Sequence, residues 1–352
     1  GCAPTYKASD WAQYFSTIKG EGDPENPGIY NLDDLLAFRD AVNNDADFSQ
    51  WVDESNVINL YADIDASSVY NSPTGDWEPI YKLNAGYTFE GNGFTISLKK
   101  TTVISDEYSW GLFTYNYGII RNLHVDLNMS ITSNSDATKD YAGITVHNSS
   151  VIENCYVKVD LTDNSRIAHL GGITTYNLKG AKIVKCTSEG SVSGAIGLGG
   201  IVCENQGGIV SSCVNNISGL EGPINMAAYW AGIVSVNRFD GQVIDCINNG
   251  NFSTSDLCGY SFVGGIVCKM FNGEVSGCTN NGELDVALSA AVGGIVGDAS
   301  EADILNVALF GKTAKQWRKE NADKTGNIRD YATLNQLLVL ANMESYNAVL
   351  IQ

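Results

Sequence analysis

At 352 residues and 44% hydrophobic content the chain has ample material for a large core, in one domain or two. Its formal charge of −19 excludes the basic footprint that nucleic acid or an anionic lipid surface demands. Three His leave little material for His-based metal or acid–base chemistry, and no stretch approaches the roughly 18 apolar residues of a membrane-spanning helix. Residues 1–30 are polar and turn-rich, with Gly20, Pro24, Pro27 and Gly28 as breakers. Asn31 is placed to cap a helix over 32–43, with Asp33 and Asp34 in the first turn, where the helix dipole favours them. The alternation Val57-Ile58-Asn59-Leu60-Tyr61 predicts a strand, and Glu90 to Ile96 a tight turn entering another.

From Gly111 the chain repeats. The Gly preceding Ile or Leu recurs as Gly111, Gly143, Gly172, Gly200, Gly232, Gly265 and Gly294, at intervals of 32, 29, 28, 32, 33 and 29 residues. Five positions later stand Asn116, Asn148, Asn177, Asn205 and Asn237, replaced by Met270 and Ala299 in the last two copies. An aliphatic column follows (Ile120, Ile152, Ile183, Val210, Val243, Val275, Ile304). Three residues after it comes a cysteine column of Cys155, Cys186, Cys213, Cys246 and Cys278, with Leu123 and Val307 at its ends. Six residues further on lie Met129, Leu161, Val192, Phe252 and Leu284; Gly219 and Thr313 break this rule.

No 3.6-residue stripe persists, and Gly, Asn, Ser, Val and Ile dominate, which excludes helical repeats. Propeller blades need about 40 residues or more. A coil of three short strands and three turns suits the interval, so the spacing predicts an all-β fold: a parallel β-helix of seven to eight rungs, each stacked about 4.8 Å above the last. In-register stacking then lines a continuous interior with Ile, Val and Cys. The Asn column is expected at a corner, tolerating left-handed φ and hydrogen-bonding from rung to rung. Asn215-Asn216, Asn248-Asn249 and Asn280-Asn281 predict a second turn column. One conflict stands out: positions three apart face opposite sides of a straight strand, so the aliphatic and Cys columns both point inward only if the chain bends between them.

After Val307 the pattern stops, and 314–321 and 333–342 read as helical. Solenoid ends expose apolar interior and strand edges, so caps are expected. The organisation is therefore a lead and tether over 1–30, a capping helix with the first rungs over 31–110, the repeats over 111–310 and a helical cap over 311–352.

The stacked cysteines read as free, buried thiols, because parallel side chains at strand spacing do not bring sulfurs together. No catalytic residue, metal site or cofactor is assigned: Asp126 and Glu189 share a repeat offset with Lys158 between them, but Asp160 and Asp245 sit at other offsets and form no carboxylate column. The segments before each repeat Gly carry Tyr108, Trp110, Tyr141, Tyr229, Trp230, Tyr260 and Phe262. If stacked on one flank they form a strip for sugar rings; the shared offset of Tyr141 and Trp230 with Leu170 and Leu198 is equally that of core residues.

Gly111-Leu112-Phe113-Thr114-Tyr115-Asn116 through Ile120-Arg121-Asn122-Leu123 resembles the GLUG motif of large bacterial surface proteins and adhesin-like lipoproteins. Glu90-Gly91-Asn92-Gly93-Phe94-Thr95-Ile96 is similar to the segment leading into such arrays, and the resemblance covers roughly residues 31–310. It implies a right-handed β-helix, a cell-surface location in organisms similar to gut Bacteroidetes, and no activity. Cys2, followed by small and polar residues, resembles the mature start of a bacterial lipoprotein, with lipid on Cys2 and outer-membrane anchoring. The function expected is an adhesin-like, monomeric binding module for a glycan or extracellular protein. A polysaccharide lyase or hydrolase on the same scaffold, and a structural spacer, are the alternatives.

Overall fold

The rung from Thr145 to Gly171 shows how the repeat folds. Thr145–Asn148, Val151–Glu153, Tyr156–Asp163 and Ala168–Gly171 are four short strands, each paired in parallel with its counterparts one repeat earlier and one later. The computed structural model describes residues 26–69, 77–101, 109–132, 138–223, 226–254, 261–287 and 289–298, with 320 and 333 isolated beyond them. Across these residues the rungs build a parallel β-solenoid of about seven turns. We call the sheet containing Val151–Glu153 the first; those of Tyr156–Asp163, Ala168–Gly171 and Thr145–Asn148 are the second, third and fourth. They hold eight, ten, seven and eight strands, in that order.

The pairing register is the repeat alignment itself. Ile120, Ile152, Ile183, Val210 and Val243 are successive partners in the first sheet, and all are fully buried. Four strands per rung replace the three expected from length, because the chain bends at the repeat Gly and divides one face into the third and fourth sheets. A Cβ on Gly172 would run into the carbonyl of Gly200, and one on Gly200 into that of Gly232. Glycine is required there by the approach of neighbouring rungs, not by a turn conformation.

The bend demanded between the aliphatic and Cys columns is a single left-handed residue immediately before the Cys. Asn122, Asn154, Lys185, Ser212 and Asp245 have φ between 53° and 54° or equal to 53°, and Gly277 continues the series at 65°. That one residue reverses the alternation, so Cys155, Cys186, Cys213 and Cys246 point inward with the aliphatics. Gly219, where the large apolar column breaks, is explained by volume: a Cβ there would meet Phe252 at 2.7 Å and Trp230 at 2.8 Å. Those two buried side chains fill the space that Val192 and Leu161 fill in earlier rungs.

The predicted N-terminal helix spans Leu32–Asn43. Asn31 Oδ1 accepts the Asp34 amide at 3.0 Å, and Asp34 Oδ2 accepts the Tyr30 amide at 3.0 Å, a reciprocal cap. Leu35, Phe38 and Val42 are its buried face and join the core beside Trp51 and Phe89. Asn43 then satisfies the edge of the fourth sheet: its Nδ2 donates to Pro79 O at 3.0 Å and its Oδ1 accepts the Tyr81 amide at 2.7 Å. The helices expected over 314–321 and 333–342, and hence the C-terminal cap over 311–352, lie outside the described residues except for Glu320 and Thr333, and Cys2 lies outside them too.

Candidate functional site

The expected Asn column is a hydrogen-bonded ladder inside the solenoid. Asn116, Asn148, Asn177 and Asn205 each donate from Nδ2 to Oδ1 of the next Asn, at 2.8, 2.9, 2.9 and 2.8 Å. All five, ending at Asn237, are fully buried. Their φ angles are not left-handed, contrary to expectation; that role falls to Asn122 and Asn154, one short strand later in the repeat. Leu83 pairs with Asn116 below the ladder and Met270 with Asn237 above it, so apolar side chains close both ends. A second ladder runs through buried Ser188, Asn215 and Asn248 to half-buried Asn280 in the second sheet. Asn216, Asn249 and Asn281 form a third on the outer side. These ladders occupy both inner and outer sides of the chain and are scaffold.

Of the aromatic strip expected before each Gly, Trp110, Tyr141 and Trp230 are core residues, at most 1% exposed. They share the inward offset of Leu170, Leu198 and Val263, and the indole N–H groups of Trp110 and Trp230 donate to Trp77 O and Ala195 O inside. Tyr108 and Tyr260 lie outside the described residues. Only Tyr229 and Phe262 point outward as expected, stacked at 5.3 Å between centroids with Lys269 Nζ over both rings.

A different aromatic column is on the surface, at the position just before the Asn ladder. Tyr115, His147 and Tyr176 are partners in the fourth sheet and stack at 4.9 and 5.0 Å, nearly parallel. Tyr117 lies parallel to Tyr115 at 6.2 Å and Tyr81 meets it edge-on at 5.5 Å. Tyr81 and Tyr117 are 51% and 45% exposed, well above ordinary Tyr burial in a packed face. The signal was present in the sequence: four residues after Gly111, Gly143 and Gly172 stand Tyr, His and Tyr.

This column faces the outer side of the third sheet across the Gly bend. Asp163 sets that side locally: its carboxylate accepts the amides of Ser165, Arg166, Ile167 and Ala168 at 2.8–2.9 Å and so fixes the turn into the strand bearing His169. In the corner, Tyr176 donates its hydroxyl to Asp140 Oδ2 at 3.0 Å, and His169 Nδ1 lies 3.6 Å from Asp140 Oδ1. Burial, with the Asp140 charge second, pushes the Tyr176 phenol up. Burial lowers His147, against the opposing pull of the Asp140 charge. Next along the column, Glu204 pairs with Arg238 and accepts Gln206 Nε2 at 2.8 Å, both on Oε1.

The corner also contains Cys203 near His169 and Asp140, which invites a comparison with thiol catalysis. Burial, then Asp140 and Cys268, push this thiol up, opposite to what a nucleophile needs. Its column-mates act structurally: Thr175, Ser235 and Cys268 donate to the carbonyls of Tyr141, Tyr229 and Phe262. The seven cysteines among the described residues are free thiols. Each member of the stacked column donates to the aliphatic residue's carbonyl one rung earlier, at 3.6–3.8 Å.

On the outer side of the second sheet, Asp126, Lys158 and Glu189 stand in register as their offsets implied. Lys158 turns to Asp160 at 3.8 Å, and Ser191 also donates to Asp160 at 3.3 Å. Among the described residues, no three His, Cys, Asp or Glu gather closely enough to hold a metal ion.

No family model and no curated protein matches the chain. Among solved structures it is similar to a candidate immunoglobulin A1 protease from Bacteroides ovatus, with 19% identity and a TM-score of 0.50. That match covers 86% of this chain and 88% of the other. At this identity the likeness shows a shared fold.

Proposed function

We propose that the chain is a surface-tethered binding module, related to the GLUG-repeat adhesin-like lipoproteins, anchored through lipid on Cys2 and holding a glycan along the fourth sheet. The observation that carries this reading is the outward aromatic column of Tyr81, Tyr115, Tyr117, His147 and Tyr176. Stacked rings turn their faces to one another and offer their edges, with hydroxyls and imidazole nitrogens, to a ligand. Tyr81 and Tyr117, at the N-terminal end of the column, are its most exposed rings, with Lys82 Nζ over Tyr81. Edges that hydrogen-bond beside faces that stack suit an extended sugar polymer lying along the solenoid. With a net charge of −19 the surface disfavours uronate and sulfated polymers, so the ligand is a neutral glycan.

A glycan and extracellular-matrix array probed with the full chain tests this. Binding to neutral glycans that drops at least tenfold in Tyr115→Ala and Tyr117→Ala is the expected result. An array without binding, or polymer digestion that releases products, overturns it in favour of a spacer or an enzyme. The likeness to a candidate protease does not favour the enzyme, because the Cys203, His169 and Asp140 grouping has its thiol pushed up and buried.

A further inference from the structure

The turn that follows the Asn ladder makes a column of its own along the rim of the fourth sheet. The residue directly after each ladder position is Tyr117, Ser149, Leu178, Gln206, Arg238 and Phe271 in turn. From Asn116 the chain soon enters the first sheet at Ile119, whereas from Asn237 a longer turn leads to the equivalent strand at Gln242. That longer turn presents Phe239. It is 60% exposed, the most of any large hydrophobic side chain among the described residues. Its φ of 57°, followed by 63° at Asp240, is left-handed, a conformation that bulky residues rarely adopt. Gly180 and Gly207 take the left-handed place in the turns of earlier rungs. Packing does not account for an aromatic in a costly backbone conformation with most of its surface in water; a surface role does.

Arg238 fixes where the ring sits. Its guanidinium carbon lies 5.2 Å from the Phe239 ring centroid, and the same guanidinium pairs with Glu204, the register partner of Tyr176. Phe239 is thereby tied to the outer side of the fourth sheet, beyond the C-terminal end of the aromatic column. Ionic groups at both ends of that column are paired, Glu204 with Arg238 and Lys82 with Asp45 at 3.5 Å. The ends therefore hold no unmet charge of these groups against an uncharged polymer.

We propose that Phe239 is a second stacking platform for the neutral glycan, so that the ligand runs along the solenoid axis from Tyr117 to Phe239. The inference rests on the glycan-binding reading above and adds the direction and the length of the ligand. A sugar ring offers a C–H face to an exposed aromatic, and the guanidinium holds the ring from its other side. Tyr117 and Phe239 stand four rungs apart, or about 19 Å at the strand spacing. A short oligosaccharide reaches one platform only. A longer one engages both, the second contact forming at the high effective concentration that the first one sets.

The test is titration of the full chain with neutral β-1,4-glucan, β-1,4-mannan and β-1,4-xylan oligomers, from disaccharide to octasaccharide. In the wild type, affinity for the bound series is expected to rise at least tenfold with length and to level off once the span is reached. Phe239→Asn removes the ring and supplies a residue that tolerates the left-handed turn. Its melting temperature is expected to hold or rise, while the dependence on length shrinks to twofold or less. Phe239→Tyr is expected to retain that dependence. If Tyr115→Ala weakens binding but Phe239→Asn keeps the full rise with length, the platform is overturned and the glycan reading stands. A lower melting temperature in Phe239→Asn would make the ring a packing element, and Phe239-dependent capture of an extracellular-matrix protein instead of an oligosaccharide would make it a protein contact; either overturns the platform. Absence of oligosaccharide binding in the wild type overturns both readings.

Discussion

Asn148 donates its side-chain amide to Oδ1 of Asn177 at 2.9 Å, with both residues fully buried inside the solenoid. Asn177 is at once acceptor from Asn148 and donor to Asn205, so removing it takes the donor from buried Asn205 Oδ1 and leaves Asn148 Nδ2 only its longer bonds to Ser150 O at 3.3 Å and Lys182 O at 3.5 Å. Asn177→Ala is therefore expected to cost about 2–4 kcal/mol, more than the net value of two ordinary hydrogen bonds, because unmet buried groups carry their desolvation cost. Chemical denaturation checks it. A loss under about 0.5 kcal/mol would show that the ladder is not a source of stability.

The left-handed residue before each Cys gives a prediction of opposite sign for two substitutions. Lys185 has φ 54°, a conformation costing a non-Gly residue about 1–2 kcal/mol. Lys185→Gly is expected to hold or raise stability by up to about 1 kcal/mol, as Gly277 does naturally at this position. Lys185→Val, β-branched, is expected to lower it by about 1–2 kcal/mol. The melting temperatures of the two variants should fall on opposite sides of the parent or be well separated.

Burial pushes the Cys155, Cys213, Cys203 and Cys268 thiols up, so almost none is thiolate at pH 8. Differential alkylation followed by mass spectrometry is expected to leave these four unmodified in the native protein and fully modified after unfolding. Labelling at native conditions comparable to that of an exposed cysteine would contradict the packing described.

His147 is lowered by burial, with the Asp140 charge opposing. Its folded pKa lies below the unfolded value of 6.5, so the unfolded chain binds the extra proton first. Stability from this residue is fully present above about pH 6.5 and is lost as pH falls through the folded pKa. Melting temperatures between pH 7.5 and 5 should fall less steeply in His147→Phe than in the parent. Equal slopes would mean that His147 is solvated. Glycan binding should follow the same window, because protonation places a charge within the aromatic column.

Tyr176→Phe removes one hydroxyl that donates to Asp140 at 3.0 Å without emptying the column. The stack survives, so thermal stability is expected to change by about 1 kcal/mol or less, while affinity for the neutral glycan falls several-fold as the column loses the Tyr176 hydroxyl from its edge. Affinity unchanged within error would place the ligand away from this corner.

Much of the fold was legible because in-register stacking writes one residue type into every rung. The alignment on Gly, Asn, aliphatic and Cys is the pairing register of the sheets, residue for residue. Free, inward cysteines followed from the same logic. The bend before the Cys was required by geometry, but no residue type marked it: Asn, Lys, Ser, Asp and Gly all occupy it, since exposed left-handed positions tolerate any of them at modest cost. The site was harder to read. Trp110, Tyr141 and Trp230 stand out as aromatics but lie inside, whereas Tyr115, His147 and Tyr176 are separated by 32 and 29 residues and resemble one another only once stacked.

By itself, then, the sequence determined a parallel solenoid, its register and its polar and thiol ladders, because identical neighbours above and below make local pattern and tertiary contact the same thing. Only the tertiary structure decided that each rung has four strands, which aromatics face water, and that Asp140, His169, Tyr176 and Glu204 share a corner. Those contacts join different sheets across the Gly bend, and their geometry depends on the angle of that bend, which no repeat position records.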